Sequence, residues 1–200
     1  MCFDRIITRS FAGGTAEYGI LDGDDTVVFI KPEAGYSPFG GDKYFHLAKR
    51  LHEIRGATVI CAANLCADAF RRADADVLQK IIAAKAGKAR LFFIGVCEGA
   101  LDGLHHATQQ FTFERLLLIG VPLLLEIQRT KAALLRIPSE IRFVFEEKDP
   151  AVKKIPELEH AIDFLRYAPE ELSPPRAVKI EVIKELEDRF VGMLDDFVAP

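Results

Sequence analysis

Apolar residues along this chain follow two rhythms. Compact apolar runs, "TVVFI" (26–30), "ATVICAA" (57–63), "RLFFIG" (90–95), "RLLLIGVPLLL" (115–125), "IRFVFEEKDP" (141–150) and "VKIEVIKEL" (178–186), have the β-branched and aromatic make-up of strands. Between them lie longer stretches whose apolar positions recur every three or four residues. Phe45, Leu47, Ala48, Leu51 and Ile54 share one face of a helix that starts near Tyr44 and stops at Gly56. Val77, Leu78, Ile81 and Ile82 predict a helix from about Asp74 to Gly87. "EGALDGLHHATQ" (98–109), "EIQRTKAALLRI" (126–137), "PELEHAIDFLRYA" (156–168) and "RFVGMLDDFV" (189–198) read as further helices. The first residues, up to "YGILDGDDT", read as short strands with a turn at Asp22-Gly23-Asp24-Asp25. Continuous apolar strands alternating with helices mean strands buried on both faces. The expected class is therefore three-layer α/β/α with a mostly parallel sheet.

Composition narrows the picture. Two hundred residues without repeat, low-complexity tract or linker fit a single domain spanning 1–200. A hydrophobic share of 50% with 28% charged residues gives an ordinary globular balance, so no metal or disulfide staple is needed. The net charge of -4 supplies no global positive field, which excludes nucleic acid as the expected partner. The opening "MCFDRIITRS" lacks the order of a secretory signal, and no apolar run approaches a membrane span of roughly 18 residues, so a cytoplasmic protein away from membranes is expected. Cys2, Cys61, Cys66 and Cys97 form no C-x-x-C pair and no zinc-ligand spacing with the five histidines. Free thiols, no metal and no cofactor are expected. The apolar stretch 116–125 and the C-terminal 197–200 leave a homo-oligomer contact open.

In an open parallel sheet, ligands sit beyond the carboxyl ends of the strands. Three loops leaving such ends stand out: Lys31 to Gly41, Gly95 to Gly99, and Glu146 to Pro150. Gly95-Val96-Cys97-Glu98-Gly99 fits G-x-C-x-G, the cysteine form of a nucleophile elbow. Such a turn needs glycines two places either side of the nucleophile, because strand and helix backbones crowd there. A cysteine so placed meets a helix N-terminus, whose dipole favours thiolate, and a glutamate after it suits the same dipole. The competing structural explanation is a small buried Cys97 in a tightly packed turn.

With these motifs in place, the chain resembles the α/β-hydrolase family from Thr26 onward. "TVVFIKPEAGYSPFGGDKYFHLAKRLHEIRGATVICA" is similar to that family's strand, oxyanion loop, helix and next strand, and "FFIGVCEGAL" to its elbow, where cysteine occurs in dienelactone hydrolases. "IRFVFEEKDPAV" resembles the late strand and triad acid, which implies Asp149 in that role, with a loop-capping residue before Pro150 as the alternative. No insertion is long enough for a lid. The resemblance also implies an oxyanion hole from backbone N–H groups near Glu33, Ala34 or Gly35 and at Glu98. At the final loop, where the family delivers its histidine, this chain reads Glu187-Asp188-Arg189-Phe190, so Asp188 holds the histidine position.

That departure is chemical. An aspartate, with an ordinary pKa of about 3.9, is a poor proton acceptor for a thiol or hydroxyl at neutral pH. His46, His52, His105, His106 and His160 all lie away from the last strand, and read as structural or surface groups. The family's His-Gly opening of the oxyanion loop reads Lys31-Pro32, and proline offers no N–H. Three functions remain: hydrolysis of a small ester, thioester or lactone through Cys97 with an incomplete triad; a non-catalytic member of the same fold that binds a small molecule or protein partner; and an unrelated doubly wound binding protein. The phosphate-loop patterns G-x-G-x-x-G and G-x-x-x-x-G-K-[ST] follow none of the strands.

Overall fold

The computed structural model describes residues 3–11, 14–37, 42–64, 68–165, 167, 175–185, 193, 194 and 196–198. Its elements in chain order are β1 (Arg5–Phe11), β2 (Gly14–Leu21), β3 (Thr26–Lys31), α1 (Asp42–Arg55), β4 (Thr58–Ala62), α2 (Asp68–Ala84), β5 (Arg90–Val96), α3 (Glu98–Gln109), β6 (Arg115–Ile119), α4 (Leu123–Leu134), β7 (Glu140–Glu146), a 3-10 turn (Pro150–Lys154), α5 (Ile155–Leu165) and β8 (Ala177–Ile183).

One eight-stranded sheet runs in the order β1-β2-β4-β3-β5-β6-β7-β8. β4, β3, β5, β6, β7 and β8 pair parallel, while β1 and β2 are antiparallel additions at one edge. The chain leaves β3 to build β4 on one side and returns to build β5 on the other. This reversal makes the carboxyl ends of β3 and β5 the switch point of the sheet, where a crevice forms.

Strand side chains alternate between two cores. Val27, Phe29, Leu91 and Phe93 point into the layer of α2 to α5, and Val28, Ile30, Phe92 and Ile94 into the layer of α1 and the C-terminal residues. Both faces are thus covered, which is why β3 to β6 carry unbroken apolar runs. β8 alternates intermediate and exposed residues up to a buried Ile183, as an edge strand does.

Two element boundaries differ from the pattern reading. α2 starts at Asp68, not near Asp74: Phe70 is buried and packs edge-on against Phe11, ring centroids 4.5 Å apart, but the polar pair Arg71-Arg72 masks the periodicity. The run 115–125 is not one strand. β6 stops at Ile119, Gly120 takes a left-handed φ of +58°, and Pro122 caps α4, which opens at Leu123 and kinks at Glu126 (φ -118°, ψ 15°). Phe197 and Val198 are buried against the sheet of their own chain; of residues 116–125, Leu124 and Leu125 are the large apolar side chains left exposed. Among the described residues no helix is long and apolar enough to cross a membrane.

Candidate active site at the β3–β5 switch point

The turn from β5 into α3 is sharp. Cys97 lies between them with φ 50° and ψ -115°, a conformation that L-residues rarely adopt, and its side chain is half-exposed. Its N–H stays in the sheet, donating to the Ile119 carbonyl at 2.8 Å. The flanking glycines are a steric requirement. A Cβ on Gly95 would lie 2.5 Å from the Ala100 Cα, and one on Gly99 would lie 2.2 Å from the Lys31 carbonyl oxygen and 2.4 Å from that of Pro32. Strand, helix and oxyanion loop therefore meet backbone to backbone, and Cys97 is the side chain left facing out.

Asp149 reaches the same place from β7. Its N–H donates to the Glu146 carbonyl, and its Oδ1 accepts the Ala151 N–H at 2.8 Å, capping the 3-10 turn. Its Oδ2 faces Gly120. A Cβ on Gly120 would sit 3.6 Å from the Cys97 Sγ and 3.7 Å from the Asp149 Oδ2, so both groups flank one point. Capping and proximity to the thiol are thus combined in one carboxylate. Gly120 drew no attention in the sequence, although a glycine between an apolar run and Val-Pro was its signal.

The loop between β3 and α1 is tied down by hydrogen bonds. Gly35 donates its N–H to the Asn64 carbonyl at 2.7 Å, which commits that group, and Asn64 fixes the loop further through its own N–H to Tyr36 and its amide to the Pro32 carbonyl. Ala34 donates its N–H to the Glu98 carboxylate at 3.3 Å. A carboxylate oxygen of the protein thus takes the Ala34 N–H, and both backbone donors of this pair have partners within the chain. Glu33 accepts a hydrogen bond from the Tyr44 hydroxyl, and Tyr44, fully buried against Tyr36, is pushed far up by burial and by Glu33. Asp188 lies outside the described residues.

Charge at the elbow works against thiolate. Burial raises the Cys97 pKa first, and the carboxylates of Glu98, Glu33 and Asp149 raise it further, opposed by Lys43. The expected gain from the helix N-terminus faces burial plus three negative groups. Cys61, buried in β4, is pushed up to about 12 by burial and is a packing residue. No group of three His, Cys, Asp or Glu among the described residues can hold a metal ion.

Below the site is a charged cluster that the sequence reading missed. Lys31 is fully buried, and its Nζ donates to the Asp74 Oδ2 at 2.6 Å and to the Ala63 carbonyl at 3.0 Å. Tyr18 donates to the Asp74 Oδ1 at 2.8 Å, buried His106 stands 3.5 Å from Oδ2, and Arg71 holds Asp102 at 2.7 Å. Burial alone would push the Asp74 carboxyl up; Lys31 and His106 outweigh it and hold the pKa below its ordinary value. Lys31 and Ala63 border the two ends of the oxyanion loop contacts, so this pair anchors Pro32 and Asn64 from beneath. The other histidines stay apart: His46 and His160 are exposed, and the ring of His52 bonds the Ala57 carbonyl.

No family model and no curated protein matches the chain. Solved structures do. The chain is similar to an esterase of Pyrococcus furiosus (11% identity, TM-score 0.72, 98% of this chain and 91% of that one). It is similar to dienelactone hydrolase of Anabaena variabilis (12% identity, TM-score 0.63, 96% and 95%). An α/β serine hydrolase without lid from Xanthomonas campestris aligns at 16% identity and a TM-score of 0.58, over 97% and 93%. Identities this low establish architecture and nothing about substrate: the chain has an α/β-hydrolase-like fold, built on an eight-stranded, mostly parallel sheet wrapped by helices.

Proposed function

We propose that this protein uses the crest around Cys97 to bind a small neutral or cationic molecule, with the hydrolase architecture serving as a scaffold and without ester turnover at neutral pH. One observation carries the reading: the Glu98 carboxylate accepts the Ala34 N–H beside a thiol already surrounded by the negative charges of Glu98, Glu33 and Asp149. An acyl oxygen entering there must displace the Glu98 carboxylate, and its developing negative charge would also face Glu33 and Asp149. Anionic acyl compounds meet the same repulsion on approach. A protonated thiol ringed by carboxylates suits a ligand with hydrogen-bond donors or an ammonium group.

A second reading is supported by the backbone of Cys97. A φ of +50° on a β-carbon-bearing residue costs on the order of 1–3 kcal/mol, and such strain recurs where a nucleophile is presented. In that reading Sγ bonds to the carbonyl carbon of a small ester, thioester or lactone, the thiol proton goes to a nearby carboxylate, the alkoxide or thiolate leaves, and water later releases the acid. The esterases and the dienelactone hydrolase among the structural neighbours fit this chemistry. They have 11–15% identity to this chain, which transfers no catalytic residue.

Turnover of p-nitrophenyl acetate and a simple thioester at pH 7, comparing wild type with Cys97→Ala, separates the two. Equal rates and no acylated Cys97 by mass spectrometry are expected. Protection of Cys97 from iodoacetamide by benzylamine but not benzoate is expected as well. A wild-type rate tenfold above Cys97→Ala, with an acyl adduct on Cys97, overturns the binding reading in favour of the second.

A further inference from the structure

On the helix layer, away from the elbow, α3 and α4 enclose a groove of about 340 Å³. Its two walls are regular. Leu101, Leu104, His105 and Thr108 recur at i, i+3, i+4 and i+7 on α3, and Arg129, Ala132, Ala133 and Arg136 recur with the same spacing on α4 and the turn after it. Facing leucines across from two alanines leaves an apolar floor with empty space above it, because an alanine cannot fill what a larger side chain would. The arginines stand at either end of the alanine pair, two helical turns apart, or roughly 10 Å along the axis.

The groove is cationic, and its cations are poorly matched by the protein. Arg136 is bonded through its backbone N–H to the Ala133 carbonyl, and its exposed guanidinium has no hydrogen bond or ion pair to a described residue. Arg129 has one contact, with Glu126 at 3.8 Å, and its side chain is 54% exposed. Asp102, on the same helix as His105, is committed to Arg71 and to Lys31. Burial, followed by the charges of Arg71, His106 and Arg129, favours the neutral form of His105, leaving one ring nitrogen to donate and one to accept. Paired arginine forks, a neutral imidazole and the amide of Gln109 above an apolar floor form a recognition surface for an oxyanion carried on a small apolar body.

We propose that the α3–α4 groove is a ligand site, separate from the elbow, for a small organic anion: a phosphate or carboxylate head held by an arginine at one end of the groove, Arg129 or Arg136, with an aryl or short alkyl body over Ala132 and Ala133. Nothing in the site requires Cys97, so it stands or falls apart from the function proposed for the elbow.

Calorimetric titration of the full chain with phenyl phosphate, benzoate and inorganic phosphate at 150 mM salt tests it. Saturable one-to-one binding of at least one aryl anion is expected, tighter than inorganic phosphate, and the better of the two aryl ligands identifies the headgroup. The R129A/R136A double variant should weaken binding at least tenfold. Ala132→Leu should do the same while keeping every charge, because it fills the groove; as an exposed helix position it leaves folding intact, checked by circular dichroism. Cys97 alkylation should be unaffected by phenyl phosphate. The proposal is overturned if neither aryl anion binds wild type saturably, if inorganic phosphate binds as tightly as both, or if either variant binds as tightly as wild type.

Discussion

Asp74 and Glu98 lie close to the carboxyl end of β3 and are treated in opposite ways by the fold. Asp74 is buried and meets Lys31, Tyr18 and His106, so each of its oxygens has a partner. Glu98 is exposed and meets one backbone N–H, while Glu33 and Asp149 add negative charge around the same thiol. In the interior, an uncompensated charge costs several kcal/mol, so folding itself demands the balance seen around Asp74. At the crest, water relieves that demand. The surplus of carboxylates over Cys97 is therefore not dictated by stability, and it has to be understood through what the site binds or repels.

The largest test of this contrast is Lys31→Met. It leaves Asp74 buried without its cation, and a loss of about 3–5 kcal/mol is expected by urea denaturation at pH 7. The pH dependence carries the sign. In wild type the Asp74 pKa is depressed, so its contribution is present above the unfolded value of about 3.9 and disappears as pH falls through the lower folded value. Without Lys31, burial raises that pKa, and acidification then relieves the variant. The gap between wild type and variant should narrow from pH 7 to pH 4; a constant gap would mean that Lys31 acts through packing alone.

Next in size is the backbone contact that joins the two regions. Gly99→Ala drives a Cβ into the carbonyl oxygens of Lys31 and Pro32, and a loss of about 1–3 kcal/mol is expected. Gly120→Ala makes ordinary contacts with Sγ and with the Asp149 Oδ2, so its cost is that of the left-handed φ alone, about 1–2 kcal/mol. Chemical denaturation of both variants ranks them. If Gly99→Ala proves the milder, the oxyanion loop yields readily, and the hold of the buried cluster on it is weak.

The strands, their parallel pairing and the tight turn at Cys97 were legible because each rests on a local rule: unbroken apolar runs at Val27 to Ile30 and Leu91 to Ile94, and two glycines spaced around Cys97. The buried cluster was not. Lys31 read as the opening of the loop after an apolar run, Asp74 as a helix start and His106 as a structural or surface group, because Lys31 and Asp74 are 43 residues apart in the chain and Asp74 and His106 are 32 apart. Long-range charge pairing leaves no periodic trace. Glu98 shows the same limit: its place at a helix start was readable, while its grip on Ala34, 64 residues away, needed the folded chain.

The smallest expected effect addresses the crest directly. Among the charges acting on the Cys97 thiol, Glu98 is the largest contributor after burial, so Glu98→Gln should lower the thiol pKa and speed iodoacetamide alkylation at pH 7, several-fold at low ionic strength. Because Glu98 is exposed, the difference from wild type should shrink at 1 M salt, where the Debye length is about 3 Å. Cys61, buried and raised to about 12, should stay unlabelled and act as an internal control. A pH profile that does not move in Glu98→Gln would assign the raised pKa to burial and detach the carboxylates from the thiol. A wild-type profile already below the free-thiol value of about 8.5 would mean that the helix N-terminus outweighs three carboxylates, and the case for a nucleophilic Cys97 would then be the stronger one.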